Sequence, residues 1–153
     1  MKIAIGCDEA AYDLKETIKK LLTDGQHTVE DFGTFDKRPV LYPDVAFAVA
    51  EQVAAGRFER AILMCGTGIG MAISANKVPG VRAACAHDTF SAERARKSND
   101  AQVLTMGARV IGPELAKTIV KAWLGSEFEG GGSTAKVERI REYEKKLAEK
   151  QAH

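Results

Sequence analysis

Apolar positions along this chain switch between two periods, and the switches mark its elements. Lys2 to Cys7 reads as a short buried strand. From Asp8 to Leu22 the spacing is helical, with Leu14, Ile18 and Leu21 or Leu22 on one face and Gly25 as the stop. Thr28 to Phe32 predicts a second strand, closed by Gly33. Tyr42-Pro43-Asp44 breaks the pattern, and an alanine- and valine-rich helix follows over 44–55, with Pro43 at its start and Gly56 after it. Arg60 to Cys65 is apolar on both faces, as a central parallel strand should be. A glycine-rich turn over 66–70 leads into a helix from Met71 to Asn76. Val81 to Ala86 predicts a fourth strand, Thr89 to Lys97 a helix capped by Asp88, and Val103 to Met106 a fifth strand. Gly112-Pro113-Glu114 opens a helix that runs to Leu124.

Strand and helix alternate throughout, which predicts an α/β fold with a parallel sheet covered by helices on both faces. Strand order is not contained in such a pattern. The tail differs: Gly130-Gly131-Gly132 interrupts 128–134, and a charged helix over 135–150 carries a narrow stripe of Val137, Ile140, Tyr143 or Glu144, and Leu147. Two placements stay open for that helix, against its own domain or on a partner subunit.

Composition narrows the setting. At 153 residues the expectation is one domain over 1–153, with 128–150 as its glycine-rich turn and terminal helix. The 22 basic and 21 acidic side chains nearly cancel, to a net charge of +1, which gives no reason to expect nucleic acid or a membrane surface as partner. There is no signal-peptide pattern and no apolar run of roughly 18 residues. Cys7, Cys65 and Cys85 are odd in number and widely spaced, so they suggest free thiols in a reducing cytoplasm.

The most informative stretch is Cys65-Gly66-Thr67-Gly68-Ile69-Gly70, where a strand gives way to a helix. Open α/β sheets bind ligands at such places. Its glycines allow close backbone approach, and its N–H groups suit negative charge. It lacks the Walker lysine and the dinucleotide spacing, so a nucleotide or flavin role is disfavoured. A thiol beside such a turn is placed to act as a thiolate. Cys65 is equally readable as a small buried residue, Cys7 also ends a strand before a helix, and Cys85 reads as core.

CGTGIGMAISANK, taken with GCDEA, YPD and SND-AQVLTMGARVIG, resembles the ribose-5-phosphate isomerase type B family and its galactose-6-phosphate isomerase relatives, from Met1 to about Ile140. The resemblance implies a Rossmann-like sandwich with a five-stranded parallel sheet. It further implies a homodimer or dimer of dimers with shared active sites, no metal or organic cofactor, and aldose–ketose interconversion through an enediolate. Cys65 falls on the family's base and Thr67 on a residue beside the reacting carbons. Gly66, Gly68 and Gly70 would offer N–H groups to the oxyanion. Asp8 and Asn99 match sugar-binding residues, Tyr42 a pocket wall and Arg109 a phosphate ligand. On the residues alone, Asp8 is equally a helix cap, Tyr42 a packing partner of Pro43, and Arg109 a surface ion pair.

The family pattern breaks at three places. Ser98 stands where a ring-opening histidine is common. Glu9 follows Asp8 where histidine is common. Gly132 and Lys136 stand at two arginine positions of the tail, and lysine offers no bidentate fork. His87 is then a possible substitute for the missing imidazole, while His27 and His153 carry no role. The function expected is isomerisation of a sugar phosphate of the ribose 5-phosphate type. The alternatives are a tetrose phosphate, D-erythrulose 4-phosphate to D-erythrose 4-phosphate, which needs no ring opening, an unphosphorylated sugar, or a non-catalytic subunit of a hetero-oligomer.

Overall fold

Residues 1–152 are described by a computed structural model; His153 lies outside them. Five strands, β1 (Lys2–Cys7), β2 (Thr28–Asp31), β3 (Arg60–Cys65), β4 (Ala83–Cys85) and β5 (Val103–Gly107), form one parallel sheet in the order β2-β1-β3-β5-β4. The helices are α1 (Tyr12–Asp24), α2 (Tyr42–Ala54), α3 (Ile69–Ala75), α4 (Thr89–Lys97), α5 (Pro113–Leu124) and α6 (Thr134–Gln151). The Rossmann-like α/β expectation holds, with a core on each side of the sheet. Ile5, Ile62, Met64 and Leu104 pack under α1, α4 and α5 around Trp123. Ala4, Leu63 and Cys65 face the opposite way, into α2 and α3. Period-two alternation along β3 therefore sends Met64 to one face and Cys65 to the other.

Several boundaries moved. The helix expected from Asp8 is a single 3-10 turn (Glu9–Ala11), capped by Asp8, followed by α1. The helix after the glycine turn begins at Ile69, not Met71, and Gly70 lies inside it. β4 shrinks to Ala83–Cys85 because it is an edge strand with a single partner, β5. That also corrects Cys85: it is exposed, not core.

Two buried cations pin connections at the two ends of the sheet. Lys15, fully buried on α1, meets Asp31 at 2.9 Å and the Thr34 carbonyl, tying α1 to the end of β2. Burial works against charge on Asp31, but the Gly33 N–H, Lys15 and Lys19 outweigh it and hold the carboxyl below its ordinary range. Arg60, at the start of β3, donates to the carbonyls of Trp123, Leu124 and Ser126 at 3.0–3.1 Å. It thereby satisfies the exposed end of α5 and sets where the tail departs. Beyond that point α6 lies loosely on the body. Val137 is its buried residue, while Ile140, Tyr143 and Leu147 are more than half exposed.

Candidate active site

In this strand order the chain turns outward to β2 on one side of β1, while β3 lies on the other. The crevice beyond the carboxyl ends of β1 and β3 is therefore the sheet's switch point, where such folds bind ligands. Asp8 follows β1 and Cys65 ends β3, and the Asp8 N–H bonds the Met64 carbonyl at 3.2 Å. Asp8, Tyr42, Cys65, Gly66, Thr67, Ile69, Gly70, Ile73 and Arg109 line a pocket of about 360 Å3 there. The sequence reading missed Ile69 and Ile73, whose exposed apolar side chains form one wall.

The glycine loop is pressed onto the end of β5. A Cβ on Gly107 would stand 2.5 Å from the Thr67 carbonyl carbon, so the Cys65–Thr67 backbone and β5 touch directly. Thr105 Oγ1 donates to the Gly68 carbonyl at 2.8 Å, and the Arg109 N–H to the Gly66 carbonyl at 3.0 Å. The loop is thus held from below by backbone and a buried hydroxyl, which fixes the position of Cys65.

Cys65 Sγ accepts the Gly68 N–H at 3.2 Å, and the residue is 4% exposed. Gly68's N–H is therefore committed to sulfur, leaving those of Gly66 and Gly70 as the loop's candidates for a substrate oxygen. Thr67 is exposed, its hydroxyl accepting the Ile69 N–H at 3.2 Å. Cys7 separates cleanly from Cys65. It faces the other core, and burial above all pushes its thiol up to about 12, where no proton transfer near neutrality is served.

Asp8 is a cap and also stands at the pocket. Its Oδ1 takes the Ala10 N–H at 3.0 Å, and it lines the pocket. Burial and then the Glu9 charge raise its carboxyl above the ordinary range, against the Ala10 and Ala11 N–H groups and Arg109. Tyr42 packs against Gly70, so close that a Cβ there would clash with the Cζ, Cε1 and hydroxyl oxygen of the tyrosine. Arg109 sits over Gly66 and, among the described residues, makes no ion pair, so its guanidinium is open to an anion in the pocket.

Glu9 points elsewhere. Its carboxylate accepts the Val40 N–H at 3.1 Å and does not line the pocket. It fastens the loop that delivers Tyr42. Replacing Glu9 with alanine should free the Val40 amide, visible as faster hydrogen exchange, and raise KM about fivefold for a loss of about 1 kcal/mol, with kcat retained. Glu9→Gln should keep the bond and the KM; unchanged exchange in Glu9→Ala would contradict the fastening role.

His87 does not line the pocket either. Its Nε2 accepts the Gly107 N–H at 2.9 Å, which holds the end of β5. Ser98, Asn99 and Lys136 are not brought to Cys65. Helix α4 runs back across the sheet, so Ser98 and Asn99 precede β5 at its amino end, whereas Cys65 pairs with Gly107 at the carboxyl end. With about 3.3 Å per residue, the length of β5 alone puts them on the order of 15 Å away. The tail joins them there: the Glu129 N–H bonds the Lys97 carbonyl, and Asn99 shares a groove with Arg139 and Tyr143 of α6. No group of three or more His, Cys, Asp or Glu side chains is placed to hold a metal ion, and no helix is long and apolar enough to cross a membrane, among the described residues.

A thiol and an arginine that has no ion pair among the described residues share a pocket at the switch point of an open α/β sheet, where such folds hold small molecules, and the arginine suits an anionic one. A profile described as ribose/galactose isomerase matches residues 3–140. The chain is 55% identical over 146 residues to a ribose-5-P isomerase B of Listeria innocua, covering 95% of this chain and 99% of that one. It is 58% identical over 147 residues to a D-erythrulose-4-phosphate isomerase of Pectobacterium atrosepticum, covering 94% and 95%. The solved ribose-5-phosphate isomerase B of Clostridium thermocellum superposes with a TM-score of 0.94 at 46% identity, over 96% and 99% of the two chains. The chain belongs to the ribose/galactose isomerase family of sugar-phosphate isomerases.

Proposed function

We propose that this chain moves the carbonyl of a sugar phosphate between C1 and C2 through an enediolate, with Cys65 as the base. The observation that carries this is the placement of the Cys65 sulfur, fixed by the Gly68 N–H within a pocket that also holds Thr67, Asp8 and Arg109. The thiolate takes a proton from one carbon and returns it to its neighbour. N–H groups of Gly66 and Gly70, with the Thr67 hydroxyl, receive the charge that develops on oxygen. Asp8 orders the sugar hydroxyls, Tyr42 forms the wall, and Arg109 takes the phosphate. Free cysteines fit a reducing cytoplasm.

Within this class one observation favours a tetrose 4-phosphate over ribose 5-phosphate. Aldopentose 5-phosphates close to furanoses through O4, and the ring must be opened by an acid or base before the carbonyl can move. Among the described residues, no imidazole lines the pocket. Ser98 Oγ accepts both Nε and Nη2 of Arg94, at 2.9 and 2.5 Å, which fills its lone pairs and removes it as a proton acceptor. A tetrose carrying phosphate on O4 cannot form that ring. The same reading makes the site shared. Ser98 and Asn99 lie before the amino end of β5 and Cys65 beside its carboxyl end, so on this reading a second copy brings its Ser98 edge to the Cys65 site, in a homodimer or a dimer of dimers.

An assay of the purified chain on erythrulose 4-phosphate and ribose 5-phosphate tests the substrate. The expected result is a kcat/KM at least tenfold higher on the tetrulose phosphate. Equal or better turnover of ribose 5-phosphate would sink the tetrose reading and leave the isomerase reading standing.

A further inference from the structure

Helix α4 ends in three basic side chains, Arg94, Arg96 and Lys97. Two are neutralised. Arg96 meets Asp100 at 3.1 Å and donates to the Ala101 carbonyl, and Lys97 meets Glu93 at 2.8 Å. Arg94 has no carboxylate partner among the described residues. It spends two of its N–H groups on one neutral hydroxyl, Ser98 Oγ, one turn further along the helix. A hydroxyl orients a guanidinium without cancelling its charge, and a planar fork held in place is pre-organised for an oxyanion.

Lys136, in the first turn of α6, likewise has no ion pair among the described residues. The Ser98 edge of the chain therefore presents a fixed, uncompensated guanidinium beside the exposed Asn99. This accounts for the pairing of residue types at 94 and 98: serine is small enough to let the arginine lie against it and supplies the acceptor that an alanine would not.

We propose that Arg94, oriented by Ser98, is a phosphate ligand that each subunit lends to its neighbour's Cys65 site. This inference rests on the shared-site reading above. It assigns Ser98 as a positioning residue, and it gives the phosphate a second guanidinium opposite Arg109 even though the tail carries Gly132 and Lys136.

The test is steady-state kinetics on the sugar phosphate the enzyme turns over, with inorganic phosphate as a competitive probe. For Arg94→Met, which keeps the stem length, KM and the phosphate inhibition constant should both rise about 10- to 100-fold, the range for a lost charge-assisted contact, with kcat within about twofold. Ser98→Ala should move both constants in the same direction by less, and Ser98→Thr should restore them. Circular dichroism and thermal melting confirm the fold of each variant. Unchanged KM and phosphate inhibition in a folded Arg94→Met would overturn the assignment.

A mixing experiment keeps the two readings apart. Cys65→Ala and Arg94→Met chains are unfolded together, refolded as an equal mixture and assayed at low substrate. Hybrid dimers then hold one intact site, and about a quarter of wild-type activity should return. Impaired Arg94→Met with no recovery on mixing would overturn the lending between subunits and locate the failure in the shared-site reading, because Arg94 would then act within its own chain.

Discussion

Cys65→Ala should lose isomerase activity by at least about a thousandfold, within the range a positioned general base supplies. The fold should survive. The thiol is small, and its removal leaves the buried Gly68 N–H without an acceptor, next to the pocket that Cys65 lines. The cost in stability is about 1–2 kcal/mol, or a few degrees in Tm. Cys65→Ser keeps a hydrogen-bond acceptor but replaces a thiol with a hydroxyl, an intrinsically far weaker acid, so it should be nearly as inactive. Cys7→Ala is the control. Cys7 faces the opposite core and does not line the pocket, so that variant should keep full turnover per folded molecule. Activity in Cys65→Ala within tenfold of wild type would remove the thiol from the chemistry.

The second large effect is at Gly68. Its φ is +78°, and a Cβ would stand 2.7 Å from the Met106 carbonyl carbon and 3.0 Å from its Cα and N. These are backbone atoms of a paired strand, with no rotamer to yield. Gly68→Ala therefore combines a left-handed residue with a backbone clash, for about 3 kcal/mol and roughly 10 °C in Tm. The same shift moves the N–H that fixes the Cys65 sulfur, so kcat should fall by tenfold or more in the fraction that folds. Gly80→Ala separates the two causes. Its φ is +89° and nothing lies within 4 Å of a Cβ there, so the backbone conformation alone should cost about 1 kcal/mol. Equal melting temperatures for the two variants would show that the loop does not rest on β5 as described.

The alternation of periods made most elements readable, because buried parallel strands and amphipathic helices are local patterns. Strand order was not, since it is fixed by which faces pack together over long separations. That order decides the site. It makes β1 and β3 neighbours at the switch point, and it sends α4 back across the sheet, carrying Ser98 and Asn99 away from Cys65. The motif around Cys65 was legible for the same reason that it works: a sharp turn against a strand leaves few residues but glycine. Cys85 was misjudged because a strand's position at the sheet edge is invisible in its own composition. Glu9 and Arg94 were hidden differently. Their partners, Val40 and Ser98, follow from a loop path and a rotamer, and neither leaves a spacing signature.

The most direct measurement is isomerisation in deuterium oxide followed by NMR, comparing wild type with Cys65→Ala on erythrulose 4-phosphate and ribose 5-phosphate. Proton transfer by a thiolate through an enediolate predicts deuterium at the reacting carbons of substrate and product with wild type, and none with folded Cys65→Ala. Deuterium incorporation and turnover that persist in Cys65→Ala at near wild-type rates would contradict the account.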